Sequence, residues 1–291
     1  MKPRSALHPY LMVLPTVAIL GLFFVVPLLR AVELSFTHWD LLTPPRPAGL
    51  SNYERLVASG QIGRLLTRTF TFGAIVVVGS TSLGLALALA LRREGRVYAF
   101  VRGAVFSAYV VSWVAVALLW MWLLDADAGL VTRGLVALGL PQIRWLGDPD
   151  TALYAIALVT IWKITGYSMV IYLSGLASIP PSLYEAAALD GASRARQFLH
   201  VTWPALRPTT TFVATTGLIM SFQAFDVIRV MTQGGPVEST TLFVYAIYEE
   251  IFQNLRVGRA SSLIVVFFVF LMGLTLLNLA ALRRSEPRGA R

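Results

Sequence analysis

The sequence predicts an all-α polytopic membrane protein with six transmembrane helices and both termini in the cytoplasm. Three observations carry that expectation. Of its 291 residues, 56% are hydrophobic and 13% charged, against about 25% charged in a soluble domain. Six apolar runs, 11–29, 69–91, 103–124, 153–176, 211–228 and 262–282, are each long enough for a bilayer-crossing helix of roughly 20 residues. None shows the period-two alternation of a membrane barrel. The charges then sort by face. With the N-terminus inside, the cytoplasmic segments hold thirteen lysines and arginines against Glu94, Glu185, Asp190 and Glu286, while the outer segments hold ten arginines and eleven acids. This is positive-inside topology, and it accounts for the net charge of +9 without a nucleic-acid patch.

Taken in order, the first run follows Lys2 and Arg4 and is too long for a cleaved signal, whose apolar core is about 7–15 residues. It reads as a retained first span. Pro15 and Pro27 fit such a helix, since neighbours satisfy the freed backbone groups. The outer segment 31–68 has Pro44, Pro45 and Pro47, then a surface helix over 52–66. Segment 124–150 carries Asp125, Asp127, Asp148 and Asp150. Segment 230–261 opens on a Gly234-Gly235-Pro236 turn and continues as an amphipathic stretch, 241–252. There is no internal repeat and no low-complexity region. Residues 1–291 read as one transmembrane domain.

The exception to this apolar pattern is 182–204, SLYEAAALDGASRARQFLHVTWP. Arg194 and Arg196, with Arg207 beyond, exclude a lipid-facing helix, so the segment leaves the bilayer. Ser182 and Glu185 have capping-box spacing, residues 183–189 are mostly strong helix formers, and Gly191 suits a left-handed helix end. Ser193 caps a second helix running to about Val201, and Pro204 stops it. The expectation is helix, glycine turn, helix.

Glu185-Ala186-Ala187, Gly191 after three further residues, then Val201, Trp203 and Pro204 resemble the EAA loop of the permease subunits of binding-protein-dependent ABC importers. Relatives usually have Ile and Leu at 201 and 203. The first span, Leu50-Ser51-Asn52-Tyr53, Ile179-Pro180 and Met231-Thr232-Gln233-Gly234-Gly235-Pro236 with Thr240-Thr241 resemble the sugar and glycerol-phosphate branch of that family. Arg68 departs from it, where relatives commonly carry Asn. The resemblance implies a type I ABC importer permease fold in the inner (cytoplasmic) membrane. It implies that 182–204 is a cytoplasmic coupling helix, with Glu185, Ala186, Ala187, Asp190, Gly191, Arg194 and Pro204 as its ATPase-coupling residues. The implied partners are two ABC ATPase subunits, a second homologous permease forming a heterodimer, and an extracytoplasmic solute-binding protein.

The only lysines, Lys2 and Lys163, follow no G-x-x-x-x-G, so no phosphate-cradling loop exists here. ATP-Mg is therefore expected on partner subunits, with no cofactor in this chain. His8, His38 and His200 are too dispersed for a metal cluster, and no catalytic grouping marks an enzyme. A lysine within a span costs about 2.5–3.5 kcal/mol and faces a cavity or a partner. Lys163, flanked by Trp162, Tyr167 and Ser168, and Ser221, Gln223 and Asp226 in the fifth run mix aromatics with hydrogen-bonding groups, as a polyol requires. In the sugar branch, Trp162, Tyr167 and Ser221 correspond to cavity positions. Ala224 stands where a polar residue is usual, leaving Gln223 to serve. Lys163 could instead pair with Asp226. A secondary transporter or channel would explain the spans and Lys163, but it leaves the hairpin spacing without a cause.

Overall fold

The computed structural model describes the backbone of residues 8–285 and the side chains of 12–276. The charged residues of the N-terminus and the C-terminal tail, among them Lys2, Arg4 and Glu286, lie outside those bounds. Contacts gather the chain into two compact units, residues 65–245 and the remainder.

In the smaller unit, α1 (His8–Leu20) passes through a π-helical turn (Gly21–Val25) into α2 (Val26–Ser35). Met12, Leu22, Phe23, Phe24 and Leu29 are all exposed, as a lipid-facing helix demands. A two-residue antiparallel pair, β1 (Thr37–His38) and β2 (Arg46–Pro47), precedes α3 (Ser51–Ala58). The expected surface helix therefore ends early, and α4 (Gln61–Leu91) starts after Gly60. Asn52 fixes the end of α2: buried, it donates to the carbonyls of Ser35 and Thr37, each at 2.9 Å. Tyr53 adds a bond to Ser35 Oγ at 2.7 Å.

In the larger unit, α5 (Arg96–Val110), α6 (Trp113–Leu123), α7 (Leu130–Ala137) and α8 (Pro149–Ala177) lead to a short hairpin. The hairpin comprises α9 (Pro181–Leu189), α10 (Arg194–Gln197), a π turn (Phe198–Thr202) and α11 (Trp203–Ala205). Then come α12 (Arg207–Phe222) and α13 (Asp226–Met231). After α13, Thr240 and Thr241 donate to the carbonyls of Gly235 and Gly234 at 2.8 and 3.1 Å, closing the expected glycine turn. α14 (Phe243–Tyr248), a π turn (Glu249–Gln253) and α15 (Val257–Ser285) complete the chain, the last two in the smaller unit. There Val257 N donates to Trp39 O at 2.9 Å, and Ser262 Oγ donates to Ser35 O at 3.2 Å. α8 is the hub of its unit, burying Ala155, Ile156, Val159, Thr160, Ile164, Met169 and Tyr172.

Among the described residues four helical stretches are long and apolar enough to cross a bilayer: Met12–Ser35, Gln61–Leu91, Pro149–Ala177 and Val257–Leu276. Two expected spans are not single helices. The run 103–124 is split between α5 and α6, which meet at 101°; counted as one broken span, the pair makes five. The run 211–228 stops at Phe222 and resumes at Asp226. At the first break Val111 and Ser112 are extended, with ψ of 144° and 141°. A β-branched residue followed by serine is weak helical sequence, and the buried ammonium of Lys163 bonds the carbonyl of Val111 at the break.

Candidate functional site

The two helix breaks lie together. α13 packs on α6, and Tyr109, Trp113, Met220, Gln223, Ala224, Phe225, Asp226 and Val227 surround a cavity of about 350 Å³. Gln223 ends α12 and Asp226 opens α13, both exposed to this space. Tyr109 and Trp113 supply the aromatic wall from either side of the α5–α6 bend. Sequence reasoning missed both, because neither Gly nor Pro marks that bend.

Lys163 explains why the bend persists. Its side chain is 1% exposed, and Nζ donates to the carbonyls of Ala108 at 3.2 Å, Tyr109 at 3.1 Å and Val111. These are acceptors that a helix leaves orphaned where it ends. The ammonium also lies 4.8 Å from the centroid of the Trp113 ring, within cation–π range. Its three donors are thus committed to backbone, and its charge braces the wall. It does not pair with Asp226. Tyr167 stacks obliquely on Tyr109, ring centres 5.1 Å apart, so it too supports the cleft from behind.

The remaining sequence candidates point elsewhere. Trp162 meets Trp120 edge-on at 5.6 Å and lines a separate apolar groove with Leu83, Phe100 and Leu158. Ser221 is fully buried and donates to Leu218 O at 2.8 Å. Of the six candidates, only Gln223 and Asp226 open on the cleft.

The hairpin is rooted in a buried cluster of Ala88, Met169, Tyr172, Ile179, Leu206 and Val213, against which Tyr184 and Val201 pack. Its first helix starts two residues earlier than the capping-box spacing suggests. Pro180 is the N-cap and Pro181 the first helical residue, with no side-chain cap from Ser182. Proline is favoured there because its φ is already helical and the first amide needs no partner. The helix ends as expected. Gly191 has φ +72°, Gly191 N donates to Ala188 O at 3.0 Å, and Ala192 N donates to Ala187 O at 2.9 Å. That is the Schellman pattern, satisfying two orphan carbonyls. Ser193 accepts from Arg196 N at 3.4 Å and caps α10. Pro204 does not stop the second arm. The chain widens into a π turn ahead of it, which accommodates an imide that has no N–H to donate back four residues. A Tyr184 hydroxyl to Thr202 Oγ1 bond of 3.0 Å braces the two arms.

The hairpin surface is open. Leu189 is 89% exposed, and Glu185, Ala186, Asp190, Gly191, Arg194 and Arg196 are exposed beside it, with Ala187 and Pro204 half-buried. In the smaller unit a separate polar cleft of about 590 Å³ is lined by His38, Arg46, Arg55, Arg256 and Arg259 among others. Arg259 is engaged by Glu250 at 3.3 Å and Gln61 at 2.6 Å. Arg55 donates to His38 Nε2 at 2.8 Å.

The family model described as binding-protein-dependent transport system inner membrane component matches residues 80–288. The chain belongs to this family. A probable ABC transporter permease protein of Pyrococcus horikoshii is 32% identical over 92% of the chain and 94% of its own length. The trehalose/maltose transport system permease protein MalF of Thermococcus litoralis is 31% identical over 96% and 95%. The sn-glycerol-3-phosphate transport system permease protein UgpA of Yersinia pseudotuberculosis is 32% identical over 95% of each. Among solved structures, a chain of a bacterial ABC transporter involved in import of the acidic polysaccharide alginate aligns with TM-score 0.81 at 24% identity, covering 96% of both chains. At that identity the likeness shows the fold alone: this is an ABC importer permease fold in a membrane protein.

Proposed function

We propose that this chain is the permease subunit of an ATP-driven importer that moves a sugar or polyol-like solute across the inner membrane. Relatives named for trehalose/maltose and for sn-glycerol 3-phosphate support the solute class. A solved relative of the same fold is described in complex with an alginate pentasaccharide-bound periplasmic protein, which supports delivery by a solute-binding protein. Six crossings, α1–α2, α4, α5–α6, α8, α12–α13 and α15, with both termini inside, agree with the positive-inside charge distribution. In that topology the arginine-lined cleft of residues 38–55 and 255–259 faces outward, toward the binding protein. Two ATPase subunits carry ATP-Mg, and a second, homologous permease completes the pore as a heterodimer.

The solute passes the cleft between the broken helices. Tyr109 and Trp113 offer apolar ring faces, Gln223 and Asp226 offer hydrogen bonds, and Lys163 and Tyr167 hold the aromatic wall in place. The observation that carries the reading is the hairpin: open on its outer surface, yet rooted in the core through Ile179, Tyr184 and Leu206. A rigid element of this kind transmits ATPase closure to α8 and α12 as a body.

The test is uptake and ATP hydrolysis by the reconstituted complex carrying Gly191→Asp or Glu185→Lys. Hydrolysis should persist while uptake falls, with both ATPases still recovered. Normal uptake in both variants at normal recovery would remove the hairpin from the mechanism.

A further inference from the structure

The strongest unassigned feature is a cationic cavity where the hairpin meets the end of α4. Arg92, Arg93 and Arg194 converge with Leu89, Tyr184, Gln197, Phe198 and Thr202 on a space of about 520 Å³. Among the described residues none of the three guanidinium groups forms an ion pair or a side-chain hydrogen bond. Cations after a helix C-terminus ordinarily serve its last carbonyls. Here Arg102 has that task, donating to Leu91 O at 2.9 Å and Arg93 O at 3.3 Å. Arg92 and Arg93 are therefore surplus to the helix end. Arg194 opens α10 and, among the described residues, its side chain donates to no helix-end carbonyl. Among the described residues these three guanidinium groups around one cavity have no counter-charge in ion-pair contact.

The rest of the lining narrows the ligand. Leu89 and Phe198 are apolar, Tyr184 is amphipathic, and the apolar run of α4 stops at Leu91, so the cavity lies at the level where lipid headgroups begin. Guanidinium forks match phosphate oxygens in geometry. We propose that this cavity binds the phosphate of an anionic phospholipid from the inner leaflet, tying both hairpin arms to the end of α4. The site rests on the membrane placement of the hairpin and not on the solute assignment. Anionic lipid thereby stiffens the element that couples ATPase to spans.

The experiment is native mass spectrometry of the intact importer complex released from nanodiscs of phosphatidylcholine with graded phosphatidylglycerol. The complex should retain phosphatidylglycerol in preference to phosphatidylcholine. Arg92→Gln/Arg93→Gln/Arg194→Gln should weaken retention by roughly fivefold per arginine removed, and uptake should lose its dependence on the phosphatidylglycerol fraction. The matching triple Lys variant, which keeps the charge, should hold lipid better than the Gln variant and guards against a folding artefact. Equal retention by wild type and the Gln variant overturns the proposal. Displacement by millimolar inorganic phosphate would make this a free-phosphate site and overturn the lipid assignment. So would unchanged lipid retention accompanied by loss of the ATPase from the Gln variant, which would give the arginines to a protein partner. Readout of lipid rather than solute keeps this result separate from that of the transport reading.

Discussion

Lys163 and Gly166 on α8, and Gly191 and Arg194 in the hairpin, each set a basic residue three positions from a glycine, and the two pairs are used in opposite ways. On α8 the cation is enclosed and saturated by three carbonyls, and the glycine exists for space. A Cβ at Gly166 would lie 2.5 Å from Val105 O and 2.9 Å from Phe106 Cα. In the hairpin the cation is exposed and unpaired, and the glycine exists for its φ of +72°, with nothing near a Cβ built there. The saturated pair is architecture that holds α5 against α8. The open pair leaves its charge and its turn exposed at the surface. A charged residue in a membrane protein therefore reveals its role by whether its donors are already spent.

Substitutions can break or sharpen that contrast. Gly166→Val has the largest expected effect, because the atoms in the way are backbone and cannot rotate aside. Overpacking of this kind costs about 3 kcal/mol, and it should appear as a lower thermal unfolding midpoint and poor recovery in detergent. Lys163→Met should follow, at about 2–3 kcal/mol for the charged hydrogen bonds lost and the carbonyls left orphaned. Arg194→Met in parallel should leave the midpoint unchanged. Equal midpoints for Lys163→Met and wild type would show that the carbonyl bonds do not hold the bend.

The smallest effect lies in the turn that follows Asp40. Thr43 N–H, then the Thr43 hydroxyl, holds its carboxyl below the usual carboxylate range. The folded value being the depressed one, the turn at 40–43 is favoured above the unfolded value and loses that support as pH falls through the folded one. Hydrogen exchange at the Leu42 and Thr43 amides, corrected for its intrinsic pH dependence, should lose protection at acid pH. Asp40→Asn should flatten that dependence.

Much of the hairpin was legible because its signals are local: Gly191, Ser193 and the arginines act within a few residues of themselves. Its start was not, since Ser182 and Pro181 both favour a helix beginning there and proline's fixed φ took the first position. The breaks at 111–112 and 223–225 were invisible for a different reason. Both interrupt runs apolar enough to be read as spans, with no Gly or Pro to mark them. At the first one the donors of Lys163, 52 to 55 residues along the chain, take up the freed carbonyls.

By itself the sequence determined that this chain is helical, lives in a membrane, and extrudes a two-armed hairpin, because apolar length, charge asymmetry and local capping are all one-dimensional quantities. The tertiary structure decided which spans break, which aromatics line the cleft, and which cations are spent. Those depend on which carbonyls and rings come within reach of a side chain, and reach is set by packing between segments distant in sequence.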